Sequence, residues 1–353
     1  MTPQPSIEDH LHSFITDTKE VKIDFNSLAL SVFGNQIERN TPYRNYCQSL
    51  SVPSSDIKRW QDIPTVTTEV FKLHDLPIIS FPSDEIRHTF TTSGTTQDIK
   101  GQHHLPSLDL YQQSIVATWD QLQLPHLKSC QPIFLTPTPQ QAPQSSLAHM
   151  MGVLADTAEK APIWAVNHTN GQIDYDAIAK ATQSQEPIAL LGTALAFLHL
   201  FEQLKQLDHP LKLPTGSWAM ETGGYKGTHR QLEKAELYTM FQDQLGLESD
   251  LIINEYSMTE LSSQFYTTGL DKPHVGPPWT RIRVVDPLTE TDALPGEPGH
   301  LVIYDLANLH SVMAIRTQDL AISNGDNSFT LLGRDPSALP RGCSRATDDA
   351  LRS

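Results

Sequence analysis

The stretch Thr91-Thr92-Ser93-Gly94-Thr95-Thr96-Gln97-Asp98-Ile99-Lys100-Gly101 gathers five small hydroxylated residues around a glycine and follows them with a lysine. Hydroxyls, successive backbone N–H groups and an ammonium are the inventory that cradles a phosphate chain. The segment is not a Walker A loop, because the spacing GxxxxGK[ST] is absent. Taken alone, it reads equally as a Ser/Thr-rich surface turn.

Few other residues offer chemistry by type and spacing. The three cysteines, Cys47, Cys130 and Cys343, are odd in number, far apart and without CxxC spacing, so they indicate neither a disulfide framework nor a zinc site. Cys47 and Cys130 read as small buried hydrophobes. Cys343 lies ten residues from the end of the sequence, flanked by Arg341-Gly342 and Ser344-Arg345. A thiolate is nucleophilic even at slight ionisation, and two arginines favour that ionisation; an unreactive tail thiol is the alternative. His88, His149 and His229 show no metal-ligand spacing, and no histidine is assigned a metal. His103-His104, just past the hydroxyl-rich segment, read either as a contact to an acyl substrate or phosphate or as an exposed pair.

The elements that must hold these residues alternate. From about Gln131, candidate strands Pro132 to Leu135, Ile188 to Leu191, Ser217 to Met220 and Leu251 to Asn254 are separated by helical patterns, as in an α/β layered domain. Leu232, Ala235, Tyr238, Phe241 and Leu245 recur at helical steps after Thr228, a candidate cap; Leu108, Tyr111, Ile115, Trp119 and Leu122 do so behind Ser107. The Pro- and Gln-rich Thr136 to Ser146 reads as a loop. After about Pro277 the texture becomes short alternating runs, Arg281 to Val285, His300 to Tyr304, Val312 to Ile315 and Ser328 to Leu332, which predict a small antiparallel sheet or barrel. The first ninety residues read as helical in places and broken by prolines.

Composition narrows the class. With 353 residues, 38% hydrophobic and 19% charged, the chain has material for a large core and about two domains. A net charge of −16 argues against a nucleic-acid or anionic-membrane binder. The longest mostly apolar run, Ile188 to Phe201, is too short to span a bilayer. The N-terminus lacks the basic and apolar regions of a secretory signal, so the expected location is the cytoplasm.

Thr92 to Gly101 resembles the phosphate loop T-S-G-T-T-G-x-P-K-G of adenylate-forming enzymes, with Gln97 and Ile99 in place of the later glycine and proline. Tyr256-Ser257-Met258-Thr259-Glu260 resembles their Y-G-x-T-E, Ile315-Arg316-Thr317-Gln318-Asp319 their Y-R-T-G-D, Gly333-Arg334 their closing G-R, and Gly223-Gly224 a paired glycine beside the nucleotide. Within that superfamily the sequence is similar to the LuxE-type acyl-protein synthetases, on Ile63 to Lys72, Ser145 to Met150, Thr222 to Gly227 and the ending Arg341-Gly342-Cys343-Ser344. The resemblance implies the large α/β N-terminal-type domain of these enzymes, layered sheets plus a small antiparallel β subdomain. Only 19 residues follow Arg334, so the C-terminal lid domain is expected to be largely absent. The expected organisation is a helical or irregular segment 1–60, an adenylate-forming domain 61–334 with its β subdomain at 277–334, and a tail 335–353.

The same resemblance assigns roles. Thr92, Ser93, Gly94, Thr95, Thr96 and Lys100 hold phosphates; Glu260 binds Mg²⁺; Thr259 meets the α-phosphate; Tyr256 packs on adenine, with Gly223 and Gly224 beside the nucleotide; Asp319 takes the ribose with Arg334 nearby. Cys343 accepts the acyl group from AMP as a thioester and hands it to an acyl reductase partner. ATP, Mg²⁺ and a fatty or other carboxylic acid are the implied ligands, with no nucleic acid and no integral membrane association. Two rival readings remain open at this point: a ligase that passes the acyl group to coenzyme A or another small acceptor with Cys343 idle, and a nucleotide-binding subunit that has lost catalysis.

Overall fold

The computed structural model describes residues 5–16, 24–50, 53–92, 99–167, 169–207, 211–223 and 232–336. Ser93, Gly94, Thr95, Thr96, Gly224, Thr228, His229 and Cys343 lie outside them. The chain opens with helices α1 (Ile7–Thr16), α2 (Phe25–Arg39) and α3 (Thr41–Ser49). Asp24 caps α2 by accepting from Ser27 N, and Asn40 ends α2 while its side chain caps α3 by accepting from Tyr43 N, each satisfying a donor that the helix leaves over. Strands β1 (Val66–Thr67), β2 (His88–Thr91) and β3 (Gln102–Leu105) precede α4 (Asp109–Gln121).

An alternating stretch follows: β4 (Gln131–Leu135), α5 (Ser146–Asp156), β5 (Ile163–Trp164), α6 (Tyr175–Thr182), β6 (Ile188–Thr193), α7 (Ala194–Gln206), β7 (Trp218–Thr222), α8 (Lys234–Met240), β8 (Ile252–Tyr256) and β9 (Phe265–Thr268). The last strands are β10 (His274–Val275), β11 (Thr280–Val285), β12 (Pro298–Asp305), β13 (Ala314–Gly325) and β14 (Ser328–Arg334).

Two compact units emerge. The first comprises Met1–Thr118, Met258–Ser263 and Pro273–Ser353; the second comprises Trp119–Ser257 and Gln264–Lys272. The second is the α/β layer. Its strand order is β5-β4-β6-β7-β8-β9, parallel up to β8, with β9 antiparallel at the end. Parallel neighbours need crossovers, and α5, α6, α7 and α8 supply them. Ile133, Leu190, Ala219 and Ile252 from four strands meet Phe197, Phe201, Leu237 and Phe241 from the helices in one core. Ser145, Asp174 and Thr193 cap α5, α6 and α7 with their side-chain oxygens.

The predicted strands are present; β4 ends at Leu135 as expected, while β6, β7 and β8 reach further at their carboxyl ends, to Thr193, Thr222 and Tyr256. The added residues include buried polar side chains, which an apolar run cannot reveal. The helix predicted after Thr228 starts at Lys234; Tyr238, Phe241 and Leu245 are buried as expected, Leu237 is buried in addition, and Ala235 is exposed. Its last turn widens over Phe241–Leu245 and ends at Gly246, whose φ of 72° is the left-handed stop that glycine takes easily.

In the first unit, β11, β12, β13 and β14 form an antiparallel meander, β10 pairs with β14, and β1 adds to β13 in parallel. Asp326 and Asn327, with φ of 45° and 59°, make the tight turn between β13 and β14. The run Val312 to Ile315 underestimates β13, which continues through Thr317, Gln318 and Asp319. The helices α1, α2 and α3 belong to this unit: buried Gln36 donates to the carbonyl of Asn308 and Asn40 to that of Ser311, at 2.9 and 3.2 Å. Cys47 is buried here, and Cys130 is buried in the second unit, as expected. Among the described residues no helix is long and apolar enough to cross a membrane.

Gly299 marks the closest approach in the meander, since a Cβ there would lie 2.6 Å from the carbonyl oxygen of Val285. Backbone held in a ladder has little room to yield. Gly299→Ala is therefore expected to destabilise the fold by about 1–3 kcal/mol, read as a lower denaturation midpoint by circular dichroism.

Candidate active site

In the first unit, β2 and β3 form a hairpin whose register pairs Phe90 with His103 and Thr91 with Gln102. The hydroxyl-rich segment is the connection between these strands. Thr92 and Gly101 close its base: Thr92 N donates to the Gly101 carbonyl at 3.0 Å, and Gly101 N donates to Thr92 Oγ1 at 2.8 Å. Thr92, read from the sequence as a phosphate contact, thus spends an oxygen lone pair on closing the loop. Lys100 is exposed, and its carbonyl takes a hydrogen bond from His74 Nε2 at 2.7 Å.

His103 is neither an exposed residue nor half of an exposed pair. It is 1% exposed, and its Nδ1 lies 2.8 Å from the carbonyl oxygen of Thr259. A carbonyl can only accept, so Nδ1 carries the proton and Nε2, 3.1 Å from Ser311 Oγ, accepts from that hydroxyl. Burial holds its pKa down at about 4, so the ring is neutral near pH 7. His104 is half-buried and bonded to Thr89 Oγ1 at 2.9 Å. The reading as an exposed pair is corrected for His103 by this packing, which places its ring on the protein backbone.

The residues just past Thr259 are held in the same manner. Asn308 Nδ2 donates to the Glu260 carbonyl at 2.7 Å, and Asn308 Oδ1 accepts from Ser262 Oγ at 2.6 Å. Asp305, fully buried at the end of β12, accepts from Ser262 N at 2.9 Å and Ser263 Oγ at 2.7 Å. Burial raises its pKa to about 6, while these donors oppose the rise. Trp279 Nε1 caps the arrangement by donating to Ser263 Oγ at 3.0 Å. Thr259 and Glu260 are therefore brought together with the base of the hydroxyl-rich loop in one packed polar cluster.

A second pairing in this unit joins Asp319 and Arg334, which are direct cross-strand partners on β13 and β14. A bulge beside them skips Leu332, and Gly333 takes the φ of 105° that the bulge requires. Arg316 pairs with Glu290 at 2.8 Å, so its role in the predicted R-T-Q-D motif is an ion pair on the sheet.

The second unit carries Gly223 and Tyr256 at the carboxyl ends of β7 and β8. Gly223 has φ of 71°, with open space where a Cβ would stand. Tyr256 is buried, with its ring edge-on to Phe265 at 6.3 Å. Beside them lie two carboxyls that sequence reasoning missed. Thr222 faces Glu255 across the ladder and donates to it through its hydroxyl, while Glu221 faces Asn254. Glu255 is 2% exposed and Glu221 is 1% exposed. Burial lifts Glu255 to about 7 and also raises Glu221, against the pull of Lys234 Nζ at 3.2 Å. The signal in sequence was an acidic residue directly after each of two strand patterns, where apolar-run reading stops.

Two outcomes follow. A carboxyl raised in the fold binds its proton more tightly there than in the unfolded chain, so its stabilising contribution falls as pH rises from about 4.5 to about 7. Glu255→Gln is expected to raise stability at pH 8 by roughly 1–3 kcal/mol and to change little at pH 4.5, measured by denaturant titration at both. His103→Leu strands the Thr259 carbonyl and is expected to cost about 1–3 kcal/mol, whereas His103→Asn, which retains a donor, is expected to recover part of it.

Comparison with known proteins then places the chain. Two relatives are both described as long-chain-fatty-acid–luciferin-component ligases. The one from Aliivibrio fischeri is 23% identical over 320 residues, covering 87% of this chain and 80% of its own. The other, from Vibrio harveyi, is 24% identical over 331 residues, covering 88% and 84%. Among solved structures, an open form of 2-hydroxyisobutyryl-CoA ligase in complex with 2-HIB-AMP and CoA superposes with a TM-score of 0.63 at 15% identity, over 86% of this chain and 73% of that one. That likeness fixes the α/β fold. Residues 12–352 match the family described as "Acyl-protein synthetase, LuxE", and with nearly the whole chain matched, the protein belongs to the LuxE acyl-protein synthetase family of enzymes.

Proposed function

We propose that the protein activates a long-chain carboxylic acid with ATP and transfers the acyl group to Cys343 as a thioester. The observation that carries the reading is the bond from His103 to the Thr259 carbonyl, which ties the strand leaving the hydroxyl-rich loop to the Thr259-Glu260 segment. The strand that follows the loop and the Thr259-Glu260 segment thereby share one buried polar cluster. The chemistry demanded of them is positioning and neutralisation rather than covalent work.

In the first step a carboxylate oxygen attacks the α-phosphorus of ATP, and the bond to pyrophosphate breaks to leave an acyl-adenylate. Thr92, Ser93, Gly94, Thr95, Thr96 and Lys100 are assigned to the β- and γ-phosphates, and Thr259 to the α-phosphate. Tyr256 is assigned to the adenine, Gly223 and Gly224 to the nucleotide's side, and Asp319 with Arg334 to the ribose. Among the described residues no group of three His, Cys, Asp or Glu forms a cage for a metal. Glu260 alone suits Mg²⁺, which takes one or two protein carboxylates alongside phosphates and water. Held there, the ion would supply positive charge against the developing charge of the pyrophosphate.

In the second step the Cys343 thiolate attacks the acyl carbonyl, AMP leaves and the thiol proton goes to solvent. The thioester suits delivery to a reductase partner. The names of the two bacterial relatives support a fatty acid as the substrate, and the family description supports a protein as the acyl acceptor.

Two measurements test this. Mg²⁺-ATP with a labelled fatty acid is expected to give ATP–pyrophosphate exchange and a hydroxylamine-labile label on the protein. Cys343→Ser is expected to lose the label and keep the exchange; exchange without label on the wild type would point to a small acceptor instead. Glu260→Gln is expected to lower the exchange rate by about 10²–10³-fold, and an unchanged rate would remove Glu260 from the site.

A further inference from the structure

The second unit contains a cavity of about 230 Å³ with no role so far. It opens where the strand order reverses. From β4 the chain moves out to β5, returns past β4 to β6, and continues to β7 and β8. In open α/β sheets the crevice at the carboxyl ends on either side of such a reversal is where ligands bind. Helices α5 and α7 start from the two flanking strand ends and wall the crevice.

The lining decides what kind of ligand fits. Leu135, Leu147, Val166, Ile173, Leu195 and Ala196 face it, and no Asp, Glu, Lys or Arg does. Its polar lining is sparse. Ser145 Oγ accepts from Ala148 N at 3.1 Å and Thr193 Oγ1 from Ala196 N at 3.1 Å, both as helix caps, Thr136 Oγ1 is buried with no partner among the described residues, and His199 adds an imidazole. A charged group entering here would lose its water and meet no carboxylate, ammonium or guanidinium in return. An unbranched alkyl chain loses nothing and gains burial for every methylene.

Size and place agree with that occupant. At about 30 Å³ per water-sized group, the cavity holds roughly eight such groups. Gly223 and Tyr256 stand at the same edge of the same sheet, at the ends of the first and second strands beyond β6. With strands about 4.8 Å apart, Tyr256's strand is roughly 10 Å from β6. With the nucleotide seated at Gly223 and Tyr256, an acid joined to its α-phosphate starts outside the crevice, so a long alkyl chain would reach the cavity and a short one would not.

We infer that this cavity receives the distal half of the substrate's alkyl chain, so that chain-length preference is set at the β4/β6 crevice. The inference rests on the acid-activation reading above. It is tested by filling the cavity with Ala196→Phe and, from the opposite wall, Ala142→Phe, and by measuring kcat/KM for ATP–pyrophosphate exchange with hexanoate, octanoate, decanoate, dodecanoate and tetradecanoate. On the wild type kcat/KM should climb by up to about fourfold per added methylene. Each variant should flatten the climb, cutting dodecanoate by more than tenfold while hexanoate stays within about threefold; activity on hexanoate also shows that the variant is folded.

Variants active on hexanoate that keep the wild-type chain-length profile would overturn the inference. Failure of the underlying reading looks different. If the wild type exchanges with no acid, dodecanoate binding by calorimetry decides: heat that both variants abolish would retain an alkyl pocket in a protein that does not adenylate, and equal heat or none in all three proteins would remove the pocket as well.

Discussion

The buried polar grip on residues 259–263 is the constraint around which the first unit is arranged. Glu260, Ser262 and Ser263 are removed from water in an irregular segment that has no ladder or helix to satisfy its backbone. Buried carbonyls and N–H groups without partners are costly, so side chains must supply them. His103, Asp305 and Asn308 do so from two separate parts of the chain. Each is supported in turn. His103 is fixed by Ser311, and Gln36 and Asn40 of the N-terminal helices hold the loop carbonyls at 308 and 311. The helices that look peripheral in the sequence therefore brace the same loop that holds Thr259 and Glu260.

Electrostatics divide the two units in a consistent way. In the first, burial keeps His103 neutral at about 4, which makes it a pure hydrogen-bonding element at cellular pH. Its contribution to stability is lost as pH falls through the range from about 6.5 to 4. In the second, burial lifts Glu255 to about 7, and the contribution of that carboxyl is lost in the opposite direction. Two buried carboxyls at the ends of adjacent strands, beside Gly223 and Tyr256, are an arrangement that packing alone does not favour. A functional edge tolerates such a cost more readily than a structural one.

Periodic apolar residues made the layered part legible. The alternation of strand and helix, the antiparallel texture after Pro277 and the burial of Tyr238, Phe241 and Leu245 follow from hydrophobic spacing, because burial of one face dictates that spacing. The carboxyl ends of β6, β7 and β8 were not legible for the same reason: Thr193, Thr222 and Glu255 carry polar side chains, and only a neighbouring strand shows that they lie inside. His103-His104 was the plainest misreading. Two adjacent histidines look solvated in sequence, yet on a strand they point to opposite sides, which buries one and half-exposes the other.

By itself the sequence determined the family, the fold class and the residue types available for phosphate and acyl chemistry, since ordered short motifs and apolar periodicity are written along the chain. The tertiary structure decided what those residues touch. The closing of the loop base by Thr92 and Gly101, the cross-strand meeting of Asp319 with Arg334, and the hold of His103 on Thr259 across 156 residues join positions far apart in sequence. Such contacts depend on strand register and on which buried group needs a partner. These are properties of the packed chain, and no local pattern encodes them.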